Sequence, residues 1–252
     1  MLRVMTFNLR FANPADGPNE WRHRKEMVVE LILRRSPDLL GTQEGTVPQL
    51  DYLTGQLEGY LPLTGHRRVD PTCQYPTIFY RAGRFTVMDS GEFWLSETPG
   101  VHRSISWCSA FPRMATYGIL RSPGQEFYFI NTHLDHISSE ARLQGARMIR
   151  DHFIPLKTPI ILAGDFNEPP DGPVFQEFMG GDSPLQDTWR ALHPPGEEPA
   201  TQHQFDGRPR GARIDWILTT APFRVRDALV VTDNVNGRYP SDHFPYMAEV
   251  DY

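Results

Sequence analysis

Thiols and lysines are scarce in this chain. Among its 252 residues only Cys73 and Cys108 carry sulfhydryls, too few for a disulfide framework and with no CxxC spacing. A zinc-thiolate centre is thereby excluded. Lysine occurs only at Lys25 and Lys157, so every other cation among the 25 Lys+Arg is arginine. That excess fits a usage bias better than it fits phosphate recognition. No lysine-rich tract is present, and a net charge of −6 disfavours, without excluding, a sequence-blind nucleic-acid binder. Long apolar runs are also missing. Ile160-Ile161-Leu162-Ala163 is far shorter than the ~20 residues of a membrane span. The first residues, MLRVMTFNLR, alternate like a strand and lack the apolar stretch of a signal peptide. The expectation is a soluble, cytoplasmic protein without a membrane span.

What is present suits a folded enzyme-sized domain. Apolar residues make up 39% and charged residues 22%, too apolar for a disordered chain. The 23 prolines and 20 glycines imply many turns. His193–Pro199 is the clearest flexible loop. Period-two segments predict strands at Leu2–Asn8, Asp38–Glu44, Thr77–Tyr80, Phe85–Met88, Ala115–Arg121, Phe127–His133, Pro159–Asp165, Ile214–Thr219 and Tyr246–Val250. Helical spacing covers Trp21–Arg35, with Met27, Val28, Leu31 and Ile32 on one face. It recurs over Ser139–Ile154, with Ser138 as N-cap and Leu143, Ala146, Ile149 and Phe153 inward, and over Val47–Leu57. Interleaved strands and helices predict an α/β sandwich of packed layers.

Apolar segments in this sequence repeatedly end in polar residues. Leu2–Phe7 leads into Asn8, Leu39-Leu40 into Glu44, and Phe127–Ile130 into Asn131-Thr132-His133-Leu134-Asp135-His136. Ile160–Ala163 leads into Gly164-Asp165-Phe166-Asn167, and Tyr239-Pro240 into Ser241-Asp242-His243. Strands ending this way deliver acids, amides and imidazoles to one crevice at the rim of the core. Arg213–Leu218 differs: it sets Asp215 inside an apolar strand, where a lone carboxylate is costly unless paired. Singly, each residue has a plainer explanation. Asp165 with Asn167 reads as a turn, His133 as a core histidine and Glu44 as a solvated strand end. Their joint recurrence is what points to a site.

Asn8, Glu44, Asp165 and Asp242 all offer oxygen, which favours Mg²⁺ or Mn²⁺ over softer metals. His133 and His243 remain for proton transfer or phosphoryl contacts, and Asp215 can hold the tautomer of His243. A histidine zinc site is weaker, because no HxxxH spacing occurs.

Six segments together resemble the endonuclease/exonuclease/phosphatase superfamily of metal-dependent hydrolases: TFNLR at 6–10, TQE at 42–44, NTHLDH at 131–136, GDFN at 164–167, RIDW at 213–216 and PSDHFP at 240–245. They occur in the family's order across nearly the whole chain. The THLDH wording and FWLSETPG at 93–100 are most similar to a bacterial branch of it. The resemblance implies a four-layer α/β sandwich, two packed mixed β-sheets flanked by helices, formed by one catalytic domain over residues 1–252. It implies that Glu44, with Asn8, Asp242 and Asp165, sits on the metal side. Asp165 and Asn167 would position or activate the attacking water. His243 would act on the scissile phosphate with Asp215 as its partner, and His133 would stabilise phosphate charge or protonate the leaving group. Arg113, Gln74 and Asp135 are implied substrate contacts. Gln74 stands where relatives of this branch carry Glu, so an acid or second-metal role is lost there. His136 is expected to point away.

The expected chemistry is hydrolysis of a phosphate ester by in-line attack of water, helped by one Mg²⁺ or Mn²⁺. Family resemblance puts a phosphodiester first, in nucleic acid or a small molecule. Net charge favours the alternative, a phosphomonoester on a sugar, inositol or lipid head group. Arg67, Arg68, Arg103, Arg208 and Arg210 are candidates for a basic rim that would serve nucleic acid. A non-catalytic binding scaffold is the reading of another class, and the complete residue set speaks against it.

Overall fold

Residues that alternate in sequence alternate across two sheets in space. The computed structural model describes residues 1–64, 67–194 and 196–252, so Pro195 of the proline-rich loop lies outside the described residues. The elements follow in order: β1 (Leu2–Asn8), α1 (Lys25–Arg35), β2 (Leu39–Gly45), α2 (Val47–Gln56), β3 (Tyr60–Leu63), β4 (Tyr75–Arg81), β5 (Thr86–Trp94), β6 (Met114–Ser122), β7 (Gln125–His133), α3 (Ser139–Phe153), β8 (Ile160–Asp165), α4 (Pro173–Met179), β9 (Gln186–Asp187), β10 (Asp215–Thr219), β11 (Arg224–Val230) and β12 (Tyr246–Asp251). One sheet has the order β11-β12-β1-β2-β4-β3 and the other β5-β6-β7-β8-β10-β9. Each contains one parallel pair, β1–β2 or β7–β8. A parallel pair needs a long crossover, supplied here by α1 and α3.

Three cores stack between the layers. Leu2, Val4, Phe127, Phe129, Ile161, Ala163, Ile217 and Ala248 fill the space between the sheets. Val28, Leu31 and Ile32 of α1 cover Met5, Phe7 and Leu40 on one outer face. Ile149 and Phe153 of α3, with Phe175 and Phe178 of α4, cover Ile160, Leu162 and Trp216 on the other. The result is the expected four-layer sandwich. Ser138 caps α3 as expected, its side chain accepting from the Ala141 N–H at 3.1 Å. The first helix starts later than its pattern suggested, because Trp21–His23 forms a separate 3-10 turn. Val29 rather than Met27 completes its buried face.

Elements not anticipated from the sequence share a physical cause. Strands β3, β9 and β11 lie at sheet edges, where one side faces solvent and the apolar alternation fades. Helix α4 spans seven residues, too few to show a period. No helix among the described residues is long and apolar enough to cross a membrane.

Period two also sets what happens at the sheet ends. Leu2, Val4, Thr6 and Asn8 share the inner face of β1, as Ile161, Ala163 and Asp165 share that of β8. The inner space therefore turns from apolar to polar along its length. Gln43 Nε2 donates across the sheets to Asn131 Oδ1 at 2.7 Å and also to Thr6 Oγ1 at 3.0 Å. Gly41 is required here, since a Cβ would stand 2.7 Å from Asn131 Oδ1.

A buried ion pair fixes the start of β10. Arg213, fully buried, binds Asp187 and, through Nε, Glu198 at 2.7 Å. Its carbonyl accepts from the Trp216 indole at 2.8 Å, and Trp216 stacks on Phe166 at 4.4 Å. Asp187→Ala would leave the buried guanidinium with Glu198 as its remaining acid partner and is expected to cost about 3 kcal/mol, the low end for breaking a buried pair. Urea unfolding measures it, and a loss near zero would contradict this account.

Candidate active site

One rim of the sandwich collects the polar groups because of strand direction. The parallel pairs bring the C-terminal ends of β1, β2, β7 and β8 to the same edge. Strand β10 runs antiparallel to β8 with Asp215 opposite Asp165, so Asp215 is the first residue of its strand at that edge, not an acid within it. Asp242 and His243 also depart from expectation. They follow no strand end but occupy the loop that enters β12, which is antiparallel to β1. Ser241 Oγ fixes that loop by donating to the Asn8 carbonyl at 2.7 Å.

Local backbone devices aim the side chains. The β2–β4 register breaks between Thr42 and Gly45, and Glu44 adopts a left-handed φ of 60°. This bulge turns Glu44 away from the helix face that plain alternation would give it. Its Oε1 accepts from Asn8 Nδ2 at 3.2 Å, and its Oε2 from the Phe11 N–H at 3.0 Å. Asn167, at φ 51°, donates its N–H to Asp165 Oδ1 at 2.9 Å. The turn is real, and it serves the site: it sends the Asn167 amide to His133 Nε2 at 3.0 Å.

Asp165 sits at the centre and is almost fully buried. Its Oδ2 accepts from Asn8 Nδ2 at 2.9 Å, with His133 Nε2 at 3.5 Å and His243 Nδ1 at 3.9 Å. Burial, and then the charge of Asp215, raise its proton affinity above the ordinary carboxylate range. His243 Nδ1 donates to Asp215 Oδ2 at 3.0 Å. Burial opposes charge on this ring, but Asp215, Asp165 and Asp242 outweigh it and hold the imidazole above its usual range. His133 is pushed well below, by burial and by the nearby charges of Arg113 and His243. The two histidines thus differ in character: one favours imidazolium, the other neutral imidazole.

A cavity of about 280 Å³ opens over these groups. Glu44, Asp165, Asn167, His133, Asp242 and His243 line it, as do Arg113 and Gln74. Asn8 and Asp215 lie just behind, acting through Glu44, Asp165 and His243. Asp135 does not line the cavity. Its carboxylate accepts the N–H groups of Ala110, Ile137 and Ser138 and faces Arg113 at 3.6 Å. Burial alone would raise its proton affinity, but these amides and Arg113 outweigh it, so it is held below the usual range as a loop anchor. His136, expected to point away, does line the cavity, because strand alternation stops at His133. Sequence reasoning missed Gln202, whose amide meets His243 Nε2 at 3.2 Å, and the cavity walls Arg10, Phe11 and Phe111. None of these carries a spacing signal.

Metal capacity follows from the donor set. Asp165, Asp215 and His243 bring ligand atoms within 4.8 Å of one another. Asp215 Oδ1 is buried without a partner among the described residues. Because His243 Nδ1 is already engaged by Asp215, the oxygen donors facing the cavity, Glu44 and Asp242, are the better hosts for a hard dication.

The His243–Asp215 pairing has a direct readout. In the metal-free protein, Asp215→Asn removes the largest favourable partner, so the His243 titration should move to lower pH. NMR of the ring protons measures it; an unmoved midpoint would show that Asp215 does not hold the proton.

Comparison with known proteins identifies the setting. Residues 5–243 match the model of the Endonuclease/Exonuclease/phosphatase family. A Bacteroides thetaiotaomicron mannosyl-6-phosphatase structure superposes with a TM-score of 0.90 at 31% identity, covering 100% of both chains. The Danio rerio protein TDP2, solved with a single-strand DNA product, shares the fold at a TM-score of 0.79 and 19% identity, covering 100% of this chain and 99% of that one. Drosophila melanogaster Nocturnin is 28% identical over 185 residues, 64% of this chain and 26% of its own length; the match to human Nocturnin, 21% identical over 100% of this chain, spans 65% of that protein. Metal dependence is general to these hydrolases of phosphate esters. With the matched model covering almost the whole chain and the acid, amide and imidazole groups gathered at one rim, the chain belongs to the Endonuclease/Exonuclease/phosphatase family of phosphate-ester hydrolases.

Proposed function

We propose that this protein is a Mg²⁺- or Mn²⁺-dependent phosphomonoesterase acting on a small polar molecule, a hexose phosphate. The observation that carries the reading is the cavity itself. At about 280 Å³ it is at or below the usual size of small-molecule sites, and it is walled by charged groups. Three of the five arginines of the expected basic rim are engaged by acids: Arg67 is buried on Glu92, Arg103 is paired with Asp70, and Arg210 with Asp206. This weakens the phosphodiester reading for nucleic acid, as does the net charge of −6. Likeness over the full chain to a mannosyl-6-phosphatase adds support for a sugar phosphate. The complete acid and imidazole set speaks against a scaffold.

The overall reaction is water plus phosphate monoester giving alcohol plus inorganic phosphate. One P–O bond forms from water, the ester P–O bond breaks, and the proton lost by water is balanced by one gained at the leaving oxygen. Glu44 and Asp242, with Asp165 and Asn8 beside them, would hold a single ion. When bound, it neutralises charge on the phosphoryl and leaving oxygens. Asp165, whose burial favours the proton, receives it from a water oriented by Asn167. His243, kept charged by Asp215, donates from Nε2 to a phosphoryl oxygen once Gln202 yields its place. Asn167 and His133 add preorganised contacts to the charged transition state.

Stripping divalent ions with EDTA should abolish turnover of a hexose 6-phosphate, and Mg²⁺ or Mn²⁺ should restore it. Asp165→Ala should lower kcat by about 10²–10⁴-fold. Faster cleavage of bis(p-nitrophenyl) phosphate than of the monoester, or unchanged turnover in Asp165→Ala, would defeat the proposal.

A further inference from the structure

Strand order gives the cleft a direction. Strands β12, β1, β2 and β4 of one sheet face β10, β8, β7 and β6 of the other. Moving across in steps of about 4.8 Å, the rim presents four successive pairs of groups. His243 and Asp215 come first, then Asn8 and Asp165, then Glu44 and His133. Gln74, just before β4, and Arg113, just before β6, come last. The acid that receives the water proton thus lies toward one end of the cleft, and Gln74 and Arg113 occupy the other. In-line displacement sends the leaving group away from the attacking water.

The far end is built to bind something. Arg113 is 8% exposed, yet most of its donors are unspent. Nη2 meets His136 Nδ1 at 3.2 Å and Nε faces the buried Asp135 carboxylate at 3.6 Å, while Nη1 has no hydrogen bond among the described residues. A guanidinium nitrogen without an acceptor beside a cavity is a ready donor for a ligand oxygen. No hydrogen bond of the Gln74 amide occurs among the described residues, and Gln74 lines the catalytic cavity. Gln74, Phe111 and Arg113 are shared with a side pocket of about 70 Å³ that Thr72 and Arg103 also line. The Phe111 ring, 48% exposed, is stacked by His136 at 5.7 Å with the Arg113 guanidinium over it at 5.6 Å, and its exposed part adds apolar surface to the cavity wall.

We propose that Gln74, Arg113 and Phe111 form the leaving-group subsite, and that it takes a polyhydroxyl group. Arg113 and Gln74 hydrogen-bond the sugar hydroxyls, and the sugar's C–H face lies on Phe111. Lining the cavity beside the reaction centre, Arg113 selects the alcohol rather than only attracting phosphate. This inference rests on the monoester reading and deepens it.

The test compares kcat/KM for mannose 6-phosphate and p-nitrophenyl phosphate in the wild type, Gln74→Leu and Arg113→Gln. The second substrate keeps the phosphoryl group and replaces the hydroxyls by a flat apolar ring. Losing a contact to a substrate hydroxyl costs about 10–100-fold. Each variant should therefore lose at least about tenfold more on the sugar phosphate than on the aryl ester, chiefly in KM. Equal losses on both substrates would overturn the subsite, since they are what a phosphoryl contact or a general disturbance produces. If Arg113→Gln fails to fold beside buried Asp135, Gln74→Leu carries the comparison alone. A wild type inactive on every hexose phosphate would instead overturn the sugar-phosphate reading, and the sugar subsite with it.

Discussion

A carboxylate held out of water at the seam between two sheets is the constraint on which this molecule turns. Asp165 ends the inner face of β8, and its desolvation has to be offset within the structure. Asn8 from the opposite sheet, the Asn167 N–H and the nearby charged imidazole of His243 provide the offset. The same contacts tie β1 to β8, so what makes the acid tolerable also closes the rim. The cost is not fully cancelled, which leaves Asp165 with a raised affinity for protons. The oxygen donors around it, Glu44 and Asp242, suit a hard dication. Preorganisation here is electrostatic tension stored in a rigid frame.

Two buried arginines near this rim show how differently a cation can be used. Arg24 is fully buried and donates to the carbonyls of Leu9, Arg10, Asn19 and Pro240. It fastens the loop after β1 to the loop carrying Asp242 and His243, and its hydrogen-bonding capacity goes to backbone. Burial lowers its proton affinity to about 10, which still leaves it charged at neutral pH. Arg113 has no such set of carbonyls. One guanidinium fastens the loops of the site, and the other, held by Asp135 and His136, lines the cavity. Burial alone does not distinguish the two; the hydrogen-bond inventory does.

Much of this was legible in the sequence because period two makes two statements at once. It says that a segment is a strand, and it says which residues share its inner face, so Asn8, His133 and Asp165 could be placed on one rim before any coordinates. The motif residues that carry no chemistry were legible only as motif. Arg213, Trp216 and Phe166 turn out to be packing and ion-pair anchors that hold Asp215 and Asp165 in place. What stayed hidden has no period. Glu44 reaches the site through a bulge, Asp242 and His243 through a loop, and His136 because alternation had ceased. Gln202 meets His243 across 41 residues of chain, a proximity that no local pattern encodes.

The arrangement also explains how one sandwich can keep its chemistry while its substrate varies. The reacting groups come from the four central strands and from the two that flank them on one side, β10 and β12. The Asn8–Asp165 and His243–Asp215 contacts cross the seam, so changing one of these residues disturbs both sheets. Gln74 and Arg113 instead precede β4 and β6 at the opposite flank, where the chain arrives through the loops before residues 75 and 114. Loops tolerate change at little cost to the core. The proposed recognition role of this end would therefore be free to diverge while the acids and imidazoles stay fixed. In this chain that end presents an amide, a guanidinium and an aromatic ring around a small volume, the features on which the proposed hydroxyl-rich leaving group rests.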